Sequence, residues 1–255
     1  DEYRLNAKLA EYPKPIVSFL HGFVMGGGVG LGCHVSHRIV GETAQISMPE
    51  CGIGFVPDVG GSLLLARAPG RLGEYLALTA ARMGPGDAIH AGFADGHIPE
   101  ADWPALKSAL CEDGGINLIT YAQTPPSPMA EARDEIDRLF DAPDLSILAE
   151  SLDQSDSTRA KSAAKAVRRN SPLSMAITCA MLSAMRAPGC DIRDALRAEY
   201  RVAHRIMQQG DFLEGVRAQI IDKDRQPRWR LALDDISADH VANMLAPLGD
   251  QELKS

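Results

Sequence analysis

Three consecutive glycines, Gly26-Gly27-Gly28, open a run that adds Gly30 and Gly32, and few folds tolerate such a run inside an ordered element. Just before it, Ile16-Val17-Ser18-Phe19-Leu20 is short, apolar and β-rich, which predicts a buried strand. Residues 21–32 then read as a turn opening into a glycine-rich helix. Without a Cβ, glycine lets a ligand or a neighbouring element approach the backbone closely. The first turn of a helix carries free N–H groups and the positive end of the dipole. This bend therefore suits a negatively charged oxygen, either a phosphate or an oxyanion, with close helix–sheet packing as the plainer alternative. Spacing removes the phosphate options. A dinucleotide fingerprint would need glycine where Leu31 or Cys33 stands, and no lysine follows these glycines as a P-loop requires. An oxyanion site and simple packing remain.

Two carboxylates follow on a loop predicted over 49–61. Glu50 lies in Met48-Pro49-Glu50-Cys51-Gly52, and Asp58 in Val56-Pro57-Asp58-Val59-Gly60-Gly61. An acid among small and apolar residues is costly unless it is paired, hydrogen-bonded or used. Eight positions apart on a turn-rich loop, the two can converge on one pocket and divide acid–base and orienting work. The alternative is that each caps a turn or helix, Asp58 as an N-cap ahead of Val59.

With 255 residues, 45 % hydrophobic and 24 % charged, the chain can bury a sizeable core. Its net charge of -8 makes nucleic acid a poor partner. Five scattered cysteines argue for free thiols in a reducing compartment, the cytoplasm being the simplest. The most apolar stretch, 15–33, contains His21 and too many glycines for a membrane span. Cys33, His34 and His37 lack the spacing and partners of a closed metal site, so no metal is expected. No G-x-S-x-G element supports a serine nucleophile. The basic pairs Arg168-Arg169 and Arg225 to Arg230 suit a solvated face or a phosphate of a bound nucleotide. Leu173, Met175, Ile177, Met181 and Met185 form one helix face, as core or as subunit contact, which leaves a homo-oligomer open.

The organisation is α/β. Helices are predicted over 2–11, 71–81, 100–112, 195–207 and from Ser171-Pro172 onward, and further strands over 38–41 and 45–48. Strands mix with helices early and helices dominate late. A boundary near 150 divides a core at 1–150 from a helical region at 151–255, with the proline-rich stretch 123–128 as a break inside the first. Too few strands are visible for a complete sheet. The chain opens on Asp1-Glu2-Tyr3 and not on methionine, so an N-terminal part is expected to be missing.

Taken together, His21-Gly22, Met25-Gly26-Gly27-Gly28-Val29-Gly30-Leu31, Met48-Pro49-Glu50 and Pro57-Asp58-Val59-Gly60-Gly61 resemble the crotonase (enoyl-CoA hydratase/isomerase) superfamily. Glu199-Tyr200-Arg201, Glu214-Gly215-Val216-Arg217-Ala218 and Ile221-Asp222-Lys223-Asp224 look like the 3-hydroxyisobutyryl-CoA hydrolase branch of it. The resemblance implies a spiral of ββα turns and a helical C-terminal region. It implies an acyl-CoA thioester as substrate, hydrolysed to free acid and CoA in valine breakdown, with coenzyme A as part of the substrate and no separate cofactor. Gly27, within Gly26-Gly27-Gly28, would supply one oxyanion N–H. Glu50 would be base or nucleophile, Asp58 would handle the substrate hydroxyl and the water, and Glu2 would lie near the substrate. The second oxyanion donor of the family lies on an earlier loop, before Asp1. Hydratases carry one glutamate at the position of Gly30 and commonly glycine at that of Asp58, so this pattern favours a hydrolase. An isomerase or hydratase, or a non-catalytic acyl-CoA binder, are the alternatives.

Overall fold

A computed structural model describes residues 1–254. Helix α1 (Glu2–Ala10) stops short of Pro13 and Pro15, which cannot continue it. There follow β1 (Val17–Leu20), β2 (Phe23–Met25) and α2 (Gly27–Gly32), then β3 (His37–Val40), β4 (Gln45–Ser47), a 3-10 turn (Glu50–Ile53) and α3 (Gly61–Arg67). The order strand, strand, helix thus occurs twice. β1 pairs in parallel with β3, Val17 opposite His37 through Leu20 opposite Val40. β2 pairs in parallel with β4, Phe23 opposite Gln45 through Met25 opposite Ser47. Each pass of the chain therefore adds one strand to each of two sheets, with α2 as the crossover that parallel pairing demands. A short β5 (Gly96–His97) joins the first sheet beside β3. The middle of that sheet is closed to solvent: Ile39 and Val40 are buried, as expected of parallel strands covered on both faces.

Two strands were not foreseen. Residues 21–32 read as a turn leading straight into a helix, yet Gly22, at φ +55, turns the chain into β2 first. β5 is two residues long and lacks any β-branched side chain.

After β5 every element is helical. Ser171 caps the helix Pro172–Met185, its side chain accepting from the Ser174 N–H with proline at the first turn. Leu173, Met175, Ile177, Met181 and Met185 are all buried within the chain, which makes that face core. One apolar cluster includes residues from Ala7 to Leu196 and so spans both sides of position 150. Another of the later helices, Ile192–Gln209, packs back against α1 and α3, and that contact shapes the site.

Candidate active site

The site begins where α1 crosses α2. Glu2 and Asn6 stand one turn apart on the same face of α1. A Cβ at Gly27 would lie 2.9 Å from Glu2 Oε1, and one at Gly30 would lie 2.7 Å from Asn6 Nδ2 and 2.6 Å from Val59 Cβ. Both glycines therefore make room for side chains that cross the bend. Gly26 has φ +50, which favours glycine, and a Cβ there would be 3.4 Å from Glu50 Oε1. At Gly28 the nearest atom would be Val24 Cγ1, at an ordinary 3.8 Å. Gly27 and Gly28 open α2, so their N–H groups have no partner within the helix. The triple-glycine bend thus meets two acids, Glu2 at Gly27 and Glu50 at Gly26.

Glu50 starts the 3-10 turn after β4 and is 8 % exposed. Its Oε2 is buried with no hydrogen-bond partner among the described residues. Burial pushes its carboxyl up to about 8, repulsion from Asp58 and Glu199 adding to the effect and a bond from its own backbone opposing it. The turn that carries Glu50 rests on the C-terminal signature. A Cβ at Gly54 would lie 2.5 Å from the Asp211 carbonyl oxygen, and one at Gly215 would lie 1.9 Å from the Ile53 carbonyl oxygen. Arg217 ties that signature together, bonding Glu214 at 2.8 Å and Asp222 and Asp224 each at 2.7 Å. The Glu214-to-Arg217 and Asp222-to-Asp224 motifs are thus one ion cluster beneath the Glu50 turn.

Asp58 is not an N-cap. Gly60 occupies the cap position of α3 with no side-chain cap bond, and the Asp58 carboxylate instead accepts from the Tyr3 hydroxyl at 2.9 Å. Burial raises Asp58 to about 6; the Tyr3 bond opposes the rise and the charge of Glu2 adds to it. Burial likewise holds the Tyr3 phenol well above its ordinary range, so it stays a donor. Two carboxyls with different environments titrate apart and can divide acid and base roles.

The turn after Asp58 is tightly held. The Val59 carbonyl accepts at 2.9 Å from His34 Nε2, which must carry the hydrogen because a carbonyl only accepts. Burial pushes His34 down to about 4, so the ring is neutral. Glu199 accepts from the Gly60 N–H at 2.8 Å, the Ser62 N–H at 3.1 Å and the Ser62 hydroxyl. Among the described residues no group of three His, Cys, Asp or Glu side chains could hold a metal ion.

The structure thus gathers Glu2, Gly26, Gly27, Glu50 and Asp58, while Gly28 lies one step along the bend. Sequence reasoning missed Tyr3 and Asn6, weighed His34 only as a metal ligand, and named Glu199 only as part of the C-terminal signature. Asn6 is fully buried with both amide atoms unpartnered among the described residues. Tyr3 had a signal, its place beside Glu2 on the same helix. Of the basic residues, Arg168 bonds Asp153, and the Arg230 guanidinium donates to the Gln208 carbonyl. Of the described helices none is long and apolar enough to cross a membrane.

Comparison with known proteins follows the same lines. The family model for enoyl-CoA hydratase/isomerase matches residues 1–245. The chain is 36 % identical over 268 aligned residues to the mitochondrial 3-hydroxyisobutyryl-CoA hydrolase of Gallus gallus, covering all of this chain and 69 % of that protein. It is 35 % identical, with the same coverage, to the protein of that name from Homo sapiens. Among solved structures, an enoyl-CoA hydratase from Rhodobacter sphaeroides 2.4.1 superposes with a TM-score of 0.96 at 55 % identity, over all of this chain and 74 % of that one. A carnitinyl-CoA dehydratase from Mycobacterium thermoresistibile gives 0.92 at 40 % identity, over 99 % of this chain and 74 % of its own.

Proposed function

The chain belongs to the enoyl-CoA hydratase/isomerase family, a family of enzymes with acyl-CoA substrates, and from that premise we propose that it hydrolyses 3-hydroxyisobutyryl-CoA, or a short 3-hydroxyacyl relative, to the free acid and CoA. One observation carries the choice of hydrolysis. Half-buried Asp58 stands with buried Glu50 in one acidic cluster, while Gly30, where a hydratase of the resembling pattern bears its first glutamate, has no room for a side chain. Val59 and Asn6 fill that space.

In this reading the thioester oxygen accepts from the Gly27 N–H at the open end of α2, and charge developing there is stabilised by a fixed donor. Glu50, held at about 8 by burial, reacts in its carboxylate form, whose share grows as the pH rises: it takes the proton of the attacking water or attacks the thioester carbon itself. Where water attacks, its oxygen bonds the thioester carbon as the C–S bond breaks, and the thiolate leaves as CoA with the proton that Glu50 took. Where Glu50 attacks, the same C–S bond breaks to give a mixed anhydride, which water then cleaves to the free acid and the Glu50 carboxylate, its proton going to the thiolate. Asp58, oriented by Tyr3, binds the hydroxyl of the acyl group and the water, and Glu2 lies beside the same bend. The names of the curated relatives support this substrate, and a step of valine breakdown is what the resemblance implies for it.

A second reading is favoured by one finding, the 55 % identical structure described as an enoyl-CoA hydratase. Parallel assays separate the two. Free thiol released from 3-hydroxyisobutyryl-CoA, with no change in the ultraviolet absorbance of an enoyl-CoA, supports hydrolysis. Loss of enoyl absorbance without thiol release supports hydration or isomerisation and rejects the first reading.

A further inference from the structure

We propose that Glu199 is a positioning residue for the reaction: from the helix Ile192–Gln209 it holds the turn from Asp58 to Ser62 in a strained shape that keeps Asp58 directed at the acyl group. The inference rests on the hydrolase reading for what Asp58 does there, but the hold on the turn stands on geometry alone.

The strain is local. Val59, β-branched, has φ +52 and is followed by Gly60 at φ +81. A β-branched residue in the left-handed region is an outlier that persists only where surrounding structure enforces it. A Cβ at Gly60 would meet Ile192 Cδ1 at 2.3 Å and His34 Nε2 at 2.6 Å, so the turn is pressed between His34, just after α2, and the Ile192–Gln209 helix. The turn is then held from three sides, through backbone and side chains alike. Tyr3 bonds Asp58, His34 bonds the Val59 carbonyl, and Glu199 collects the Gly60 N–H, the Ser62 N–H and the Ser62 hydroxyl.

Glu199 is also out of place by composition. It lies within the buried apolar stripe Ala195, Leu196, Val202 and Ile206 of its helix and is itself fully buried. A leucine there would continue the core, whereas a carboxylate costs stability unless its lone pairs are filled. Three donors fill them, and they oppose the rise that burial causes. A residue that costs stability at one position and fixes a strained turn at another is the pattern expected where function demands the geometry. The titratable and charged groups around it are Tyr3 from α1, His34 after α2, Glu50 and Asp58 from the loops, and Arg67 at the end of α3 near His34.

The test is Glu199→Gln in the otherwise intact chain, with Ser62→Ala as a milder companion that keeps the charge and both amide bonds. Glutamine keeps the shape but sets its NH2 against one backbone N–H. We expect kcat for thiol release to fall on the order of tenfold to hundredfold, as displacement of a reacting group does, with KM nearly unchanged and folded helix content retained. In carboxyl carbon-13 NMR the Asp58 titration midpoint should move to lower pH, because burial is what raises it and the turn opens to water. Ser62→Ala should move both readouts the same way by less, and it alone decides the matter if Glu199→Gln does not fold. If either variant only lowers the melting temperature, with activity per folded molecule and the Asp58 titration unchanged, the positioning role is wrong. If wild-type protein releases no thiol, the hydrolase reading fails, and the Asp58 titration still decides what Glu199 does.

Discussion

Gly30→Ala isolates the steric claim at the centre of the site. The added Cβ would lie 2.6 Å from Val59 Cβ, 2.9 Å from Val59 Cγ2 and 2.7 Å from Asn6 Nδ2. Ordinary contact begins near 3.4 Å, so Val59 must retreat by roughly 0.8 Å in a close-packed interior. Overpacking of this kind costs about 1–3 kcal/mol. Alanine in a helix recovers about 1 kcal/mol relative to glycine. The net loss is of order 1 kcal/mol, which lowers the melting temperature by roughly 2–4 °C in a protein of this size. Activity should suffer far more, because the residue that moves adjoins Asp58, and a displacement near 1 Å in a reacting group costs about a hundredfold. Calorimetry and thiol release from 3-hydroxyisobutyryl-CoA, measured well below the melting transition, read the two effects separately. Wild-type thiol release in Gly30→Ala would refute the reasoning, and so would hydration of an enoyl-CoA by Gly30→Glu.

Other substitutions probe the same cluster. Glu50→Gln should lower kcat for thiol release by about 10²–10⁴-fold, the usual worth of general acid–base catalysis, while equilibrium dialysis shows CoA-thioester binding retained. Tyr3→Phe removes a hydrogen bond to a half-buried carboxylate, worth about 1.5–3 kcal/mol. Its kcat/KM should fall, and the acid limb of its pH profile should move to higher pH, because that bond holds Asp58 down. Stability should also depend on pH with a definite sign. The folded-state value for Glu50, about 8, exceeds the ordinary 4.5, so between these values the folded chain keeps a proton that the unfolded chain has lost. Raising the pH through that window therefore destabilises the fold, and thermal melts should show a shallower decline in Glu50→Gln than in wild type.

The sequence made the proposed reacting groups legible because they break local expectation. A triple glycine after an apolar strand, and two acids in apolar loops, stand out without any tertiary knowledge. β1, β3 and β4 were readable from their β-rich runs, and Ser171-Pro172 announced its helix by cap chemistry. What escaped depends on contacts distant in the chain. β2 is three residues, Phe23 to Met25, bounded by glycines, and it exists because β4 pairs with it. The cap expected of Asp58 was displaced by Tyr3, 55 positions away. Glu199 was visible as part of a motif, but not its burial, an acid at a core position of a 3.6-residue repeat. The absence of an acid at Gly30 could be read from spacing, whereas its cause, Asn6 and Val59 in the same space, required the fold.

Hydrolysis in oxygen-18 water tests the role of Glu50 and Asp58 most directly. Wild-type protein given 3-hydroxyisobutyryl-CoA should release CoA and leave the label in the carboxyl group of the free acid, seen by mass spectrometry, with Glu50→Gln and Asp58→Asn both suppressing it. If an enoyl-CoA instead takes up the label on its acyl carbons as an intact thioester, and no thiol appears, the pair performs hydration and the assignment of hydrolysis is wrong.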